Sequence, residues 1–168
     1  MPSPKLLRTI VAVGLISLGA FAAITVAADP PAADAAEAEV QQLIDRYFRT
    51  WSNQDMDRYG QCFMPQAAIQ LIDEDGQLHT MPLTPFLRSQ ADAHRQAANR
   101  MTETPESVEI RFDAKLAHAL VYWKLVDGDR IEHGYDHFTL MKSDGKWRIA
   151  NLVFYTTPAP KASQPASK

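Results

Sequence analysis

Cysteine is almost absent from this chain: Cys62 stands alone among 168 residues. No internal disulfide can therefore form, and no cysteine-based zinc site can be assembled. An excess of positive charge is missing too. Lys and Arg number 17 against 20 Asp and Glu, a formal net charge of −3, which offers no basic face to nucleic acid. No internal repeat is visible, and one domain is what this length accommodates. With 46% apolar and 22% charged residues, the composition is that of a globular protein rather than a disordered one. No cofactor is expected.

Long hydrophobic runs are scarce as well, and the one that exists lies near the start. Ile10–Val26 carries no charge, follows Lys5 and Arg8, and leads through Ala27-Ala28 into Asp29-Pro30-Pro31. A basic start, an apolar stretch and a small-residue end describe an export signal over residues 1–28. An uncleaved anchor is the alternative, because about 17 residues is the lower limit for a bilayer span. No cysteine lies near the junction to carry a lipid. Residues 29–36 read as a flexible lead-in and 37–157 as the folded domain. The stretch 158–168, with Pro158, Pro160 and Pro165, reads as a tail that does not pack.

Inside the domain the hydrophobic period changes once. Val40, Leu43, Ile44, Tyr47, Phe48 and Trp51 recur at helical spacing, with Asp34 and Glu37 placed to cap the start. Burying these six side chains is worth about 9–18 kcal/mol before conformational entropy is subtracted. Asn53 closes this helix, and Asp55 caps a short second one carrying Met56, Tyr59 and Phe63 up to Pro65. A strand over Ala67–Ile72 then meets the turn Asp73-Glu74-Asp75-Gly76. Pro85 opens a third helix with the stripe Leu87, Ala91, His94 and Ala98. From Ser107 onward the period is two. Val108, Ile110 and Phe112 alternate with Glu109 and Arg111. The runs Leu116–Val126, Arg130–Lys142 and Lys146–Thr156 are joined at Asp127-Gly128 and Asp144-Gly145, both hairpin signals. Helices grouped on one face of an antiparallel meander make an α+β fold.

Several stretches now resemble a known family. They are Tyr47…Trp51-Ser52-Asn53-Gln54-Asp55, Tyr135-Asp136-His137-Phe138, and Asp144-Gly145-Lys146-Trp147-Arg148-Ile149. The chain resembles the nuclear transport factor 2-like superfamily, shared by ketosteroid isomerases and SnoaL-like polyketide cyclases. Within it the likeness is greatest to an exported lumazine-binding group. The resemblance spans roughly 37–157 and implies a cone-shaped, curved antiparallel sheet with about three helices on its concave face. It also implies a pocket between helices and sheet, and dimerisation. One fold of this kind hosts enzymes, binders and assembly modules, so activity must be argued from the site.

Laid on the ketosteroid isomerases, the resemblance puts Tyr47 on an oxyanion-hole tyrosine and Asp136 on a protonated carboxylic acid that donates beside it. Such a carboxyl resists ionisation in an apolar pocket. Their catalytic aspartate falls near Leu71, which accepts no proton, although Gln70 and Asp73 are close. An oxyanion hole without a base leaves the isomerase mechanism incomplete. The remaining base would be His94, on the inward stripe of the third helix. Each residue also has a plainer reading: Asp136 as a paired strand carboxylate, Tyr47 as a core tyrosine, His94 as the polar rim of an apolar stripe. Trp51, Tyr59, Phe63 and Phe138 would line an aromatic pocket or serve simply as core. His133 and His137 share a strand face about 13 Å apart, too far for one metal ion, so no metal is expected.

The functional expectation is therefore an exported module binding a flat, mostly apolar small molecule, with Tyr47 and Asp136 turned to a carbonyl or phenolate oxygen. An isomerase, dehydratase or cyclase using Tyr47, Asp136 and His94 is the alternative, and an assembly module acting through its sheet is a third. Both faces of the strand Leu116–Val126 are apolar, which predicts a homodimer covering the face that helices leave open.

Overall fold

The computed structural model describes residues 30–158. The expected export signal, and all but the first residue of the expected tail, lie outside the described residues. The element order is α1 (Pro30–Ser52), α2 (Met56–Gly60), β1 (Phe63–Ile72), β2 (Leu78–Pro82), α3 (Leu83–Gln96), β3 (Thr102–Phe112), β4 (Leu116–Asp127), β5 (Arg130–Ser143) and β6 (Lys146–Thr157). All six strands form one sheet in the order β2-β1-β6-β5-β4-β3. Neighbours run antiparallel except β1 and β6. A parallel pair needs a long connection between its strands, and nearly the whole sheet lies between these two.

The stripe of α1 is buried as its spacing predicts: Val40, Leu43, Ile44, Tyr47, Phe48 and Trp51 are each no more than 5% exposed. Its start differs. The helix begins at Pro30, so residues 30–36 form its opening turns instead of a lead-in, and Asp34 sits inside it rather than at its cap. Proline suits a first helical position, where its missing N–H loses nothing. Asp55 does cap α2, its carboxylate accepting from the Arg58 N–H at 3.1 Å. Phe63, expected on α2, instead opens β1. Pro65 is accommodated there because β1 slips register against β6 between Phe63 and Ala68, as proline in a sheet requires.

Two further differences concern the middle of the chain. The turn at Asp73–Gly76 leads into β2, whose largely exposed residues carry little hydrophobic alternation to mark a strand. Helix α3 starts at Leu83, two residues before Pro85, and ends at Gln96, so Ala98 lies beyond it. Its buried side chains are Phe86 and His94. The hairpins of the meander form where Asp-Gly placed them. In the β5–β6 turn Asp144 and Gly145 take φ of 52° and 73°, the type I′ geometry that matches strand twist.

Helix α1 packs on β3 and β6, and α3 on β1. One apolar cluster fills the space between, from Leu43, Ile44 and Phe48 to Ile69, Val121, Leu140 and Leu152. Among the described residues no helix is long and apolar enough to cross a membrane.

Candidate functional site

Strand register decides which side chains meet on the concave face, because directly paired residues project to the same side. One row runs Glu103–Leu125–Glu132 across β3, β4 and β5. The next runs Pro105–Trp123–Gly134–Thr156, and the third Val121–Asp136–Phe154–Leu71. Above these rows α1 lowers Tyr47 and Trp51, α2 lowers Tyr59, and α3 lowers Phe86 and Gln90. Together they enclose a cavity of about 170 Å³.

Glu103 reaches this cavity because β3 is irregular. Ser107 pairs with Tyr122 and Pro105 with Trp123, leaving Glu106 without a partner of its own. This one-residue bulge inverts the alternation, so Glu103 shares a face with Val108 and Ile110 instead of opposing them. Ser52 ties that end of β3 to α1: its hydroxyl donates to the Glu103 carbonyl at 3.0 Å and accepts from the Glu103 N–H at 2.8 Å.

Asp136 is the centre of the site. It is 3% exposed, and its Oδ1 accepts from the Trp123 indole N–H at 2.9 Å. Its Oδ2 is buried with no hydrogen-bond partner, in a residue that lines the cavity. Burial pushes the Asp136 pKa up to about 7, partly offset by the Tyr47 hydroxyl and the Trp123 N–H. Half-buried Glu103 is raised by burial first and then by the negative charges of Asp136 and Glu132. Burial likewise raises Tyr47 and Tyr59, so both phenols keep their protons. Across the cavity the Trp51 indole N–H donates to Gln90 Oε1 at 2.9 Å, which braces α1 against α3.

Of the residues expected at a site, Tyr47, Trp51, Tyr59 and Asp136 line the cavity together. Phe63 and Phe138 stand behind Tyr47, with ring centroids 5.9 and 5.0 Å from it, and support it without reaching the space. His94 is placed differently from its expected role as a pocket base. Its ring packs against Trp51 with centroids 4.3 Å apart, outside the cavity lining. Burial lowers its pKa and keeps it neutral. Leu71 lines the cavity, whereas Gln70 donates to Thr80 and Asp73 sits in an exposed hairpin turn. Neither supplies the missing base. Among the lining residues that sequence reasoning missed are Glu103, Glu132 and Trp123. Only the register across the bulge reveals the first.

Gly134, two residues before Asp136 on the same face of β5, carries no side chain. The space it leaves beside Asp136 is filled by the indole of its cross-strand partner Trp123, which thereby reaches Asp136. A larger open groove of about 410 Å³ lies on the outer face of the sheet, lined by Arg111, His118, Leu120, His137 and Asn151 among others. It holds no buried unpaired carboxyl, so the enclosed cavity is the candidate site. Among the described residues no three His, Cys, Asp or Glu side chains are grouped to hold a metal ion.

A curved six-stranded sheet with helices over an enclosed concave cavity defines the nuclear transport factor 2-like class of α+β proteins. Within that class the chain belongs to the family described as "Putative lumazine-binding", whose model matches residues 35–155. A search of the curated proteins finds no match. Among solved structures, a protein of unknown function from Mycobacterium tuberculosis is 25% identical with a TM-score of 0.64, covering 80% of this chain and 79% of that one. An NTF2-like protein of unknown function from Shewanella baltica is 17% identical with a TM-score of 0.57, covering 75% and 97%. A "Putative Scytalone Dehydratase" from Novosphingobium aromaticivorans is 12% identical with a TM-score of 0.62, covering 82% and 97%. The last two are likenesses of fold alone.

Proposed function

We propose that this protein is an exported binding module that holds a flat, mostly apolar small molecule in the cavity above Asp136. One observation carries the reading: a buried carboxyl oxygen without a partner, Asp136 Oδ2, in a residue that lines an aromatic cavity. A buried polar atom left unpaired is destabilising, and a ligand group satisfies it. Pockets that fix a small molecule combine apolar walls with a few such polar groups. The phenolate half of the sequence expectation does not suit a cavity lined by three carboxyls and no Lys, Arg or His.

Three tryptophans make the test direct. The indole N–H groups of Trp123 and Trp51 belong to lining residues, whereas Trp147 lies outside the lining. A ligand found by native mass spectrometry of the natural protein is expected to shift the first two indole resonances and leave the third. Asp136→Leu should weaken its binding by about 1–3 kcal/mol, and Tyr47→Phe should weaken it less. Affinity indifferent to both changes refutes the site. The enzymatic alternative, with Tyr47 and Asp136 as oxyanion donors, needs a base in the cavity; the lining residue suited to that part is Glu103 rather than His94. Binding requires no such step and is the reading retained.

Homodimerisation through the outer sheet face belongs to the same proposal. On that face the rings of Tyr122, Tyr135, His137 and Tyr155 form a continuous chain of contacts. Ile131 and Met141, near the two ends of β5, are 53% and 38% exposed. Sedimentation of the natural protein at micromolar concentration should give twice the mass of a chain starting near Asp29, with N-terminal sequencing confirming that start. A monomer, or an intact Met1, counts against the respective part.

A further inference from the structure

The cavity's charges are all of one sign. Its lining includes the carboxyls of Glu103, Glu132 and Asp136, and no Lys, Arg or His. No nearby cation lines the cavity. Arg130 pairs with Glu132 from an exposed position. Arg100 donates to the Ser52 carbonyl and to Asn53 Oδ1. His94 is neutral behind Trp51. The remaining walls are the aromatic rings of Tyr47, Trp51, Tyr59, Phe86, Trp123 and Phe154, whose faces attract cations. Among the described residues, neither these three carboxyls nor any other His, Cys, Asp and Glu side chains are grouped to hold a metal ion. The volume of about 170 Å³ is the liquid volume of five or six waters at about 30 Å³ each. Aromatic walls, carboxyl acceptors and this volume fit a compact organic cation.

Resting on the binding reading above, we propose that the ligand is a small, flat, positively charged nitrogen compound, of the amidinium or aromatic-ammonium class, donating to Asp136 Oδ2. An anion is repelled by whichever carboxyls are ionised. A neutral carbonyl satisfies Asp136 only in its protonated form. A cation satisfies Oδ2 as an ionised acceptor and at the same time offsets Glu103, with which no Lys, Arg or His of the lining pairs.

The two ligand charges carry opposite proton linkage. Asp136 titrates near 7, and the groups facing it are Glu103 on β3, Glu132 on β5, Tyr47 on α1 and Tyr59 on α2. A bound cation favours the ionised carboxyls, so it expels protons, and its affinity rises as pH passes upward through 7. A neutral acceptor needs the protonated form, and its affinity falls over the same range.

Benzamidine and benzamide test this, since they share a shape and differ in charge. Calorimetry of the protein at pH 6 and 8, in buffers of unlike ionisation enthalpy, should show benzamidinium bound about tenfold more tightly than benzamide at pH 8. Protons should be released on binding. The Asp136→Asn variant should lose most of that preference, and Glu103→Gln a smaller part of it. Equal or tighter benzamide binding, strengthening toward pH 6, overturns the charge assignment and leaves the binding site standing. Failure of both probes to shift the Trp123 indole overturns the site itself, and this inference with it.

Discussion

Replacing Asp136 by Asn should raise stability at pH 8 by about 4 kcal/mol and at pH 5 by less than half of that. The carboxyl titrates near 7 in the fold, against 3.8 for an ordinary aspartate. Between those values the folded state keeps a proton that the unfolded chain has released. Wild-type stability from this group is therefore full below the lower value, declines as pH rises, and levels off above the upper one. At about 1.4 kcal/mol per pH unit, the window amounts to about 4 kcal/mol. Asparagine removes the ionisation, and its amide oxygen can still accept from the Trp123 indole. Glu103 titrates upward in the same sense, so the variant's profile should flatten without becoming level. Asp73, lowered by His79, and Asp113, lowered chiefly by the Lys115 N–H, slope oppositely at acid pH in both proteins and cancel in the difference. Urea unfolding of both proteins at pH 5 and 8 measures it. Identical pH dependence would show that Asp136 is ionised without penalty in the fold.

Gly134→Ala is the second large effect. An added Cβ would lie 2.7 Å from Trp123 Cη2, and nearer still to Trp123 Cζ2 and the Tyr155 carbonyl oxygen. The indole can turn aside, but the carbonyl belongs to the β5–β6 pairing and has no such freedom. Overpacking of a core typically costs about 1–3 kcal/mol, and contact with fixed backbone puts this change at the upper end. Displacing Trp123 also removes the N–H that holds Asp136 Oδ1. A lower urea midpoint should therefore come with a shifted Trp123 indole resonance, and an unchanged midpoint would refute the packing argument.

Helix α1, the hairpins and the buried α1 stripe were legible because each is a local pattern. Three- and four-residue spacing writes a helix face directly, and Asp144-Gly145 takes the positive φ values a tight hairpin demands. Tyr47 and Asp136 came from resemblance, and strand alternation then agreed with an inward Asp136. Alternation failed at Glu103. Counting back from Val108 and Ile110 by twos reaches even numbers and points Glu103 outward, until the unpaired Glu106 shifts the count by one. Nothing in the residues from Thr102 to Glu106 announces that bulge.

His94 illustrates the converse. Its helical position is inward and it is buried, yet Trp51 stands between it and the cavity. A hydrophobic stripe states which side of a helix is covered, not what covers it. Trp123 is core, and its indole N–H reaches Asp136 because Gly134, opposite it across the β4–β5 ladder, leaves room for the ring. Residue order alone settled the fold class, the hairpins and the inward helix faces, since these depend on neighbours a few positions apart. The acidic character of the cavity came from tertiary register, because it depends on Glu103, Glu132 and Asp136 meeting across three strands, one of them displaced by a single residue.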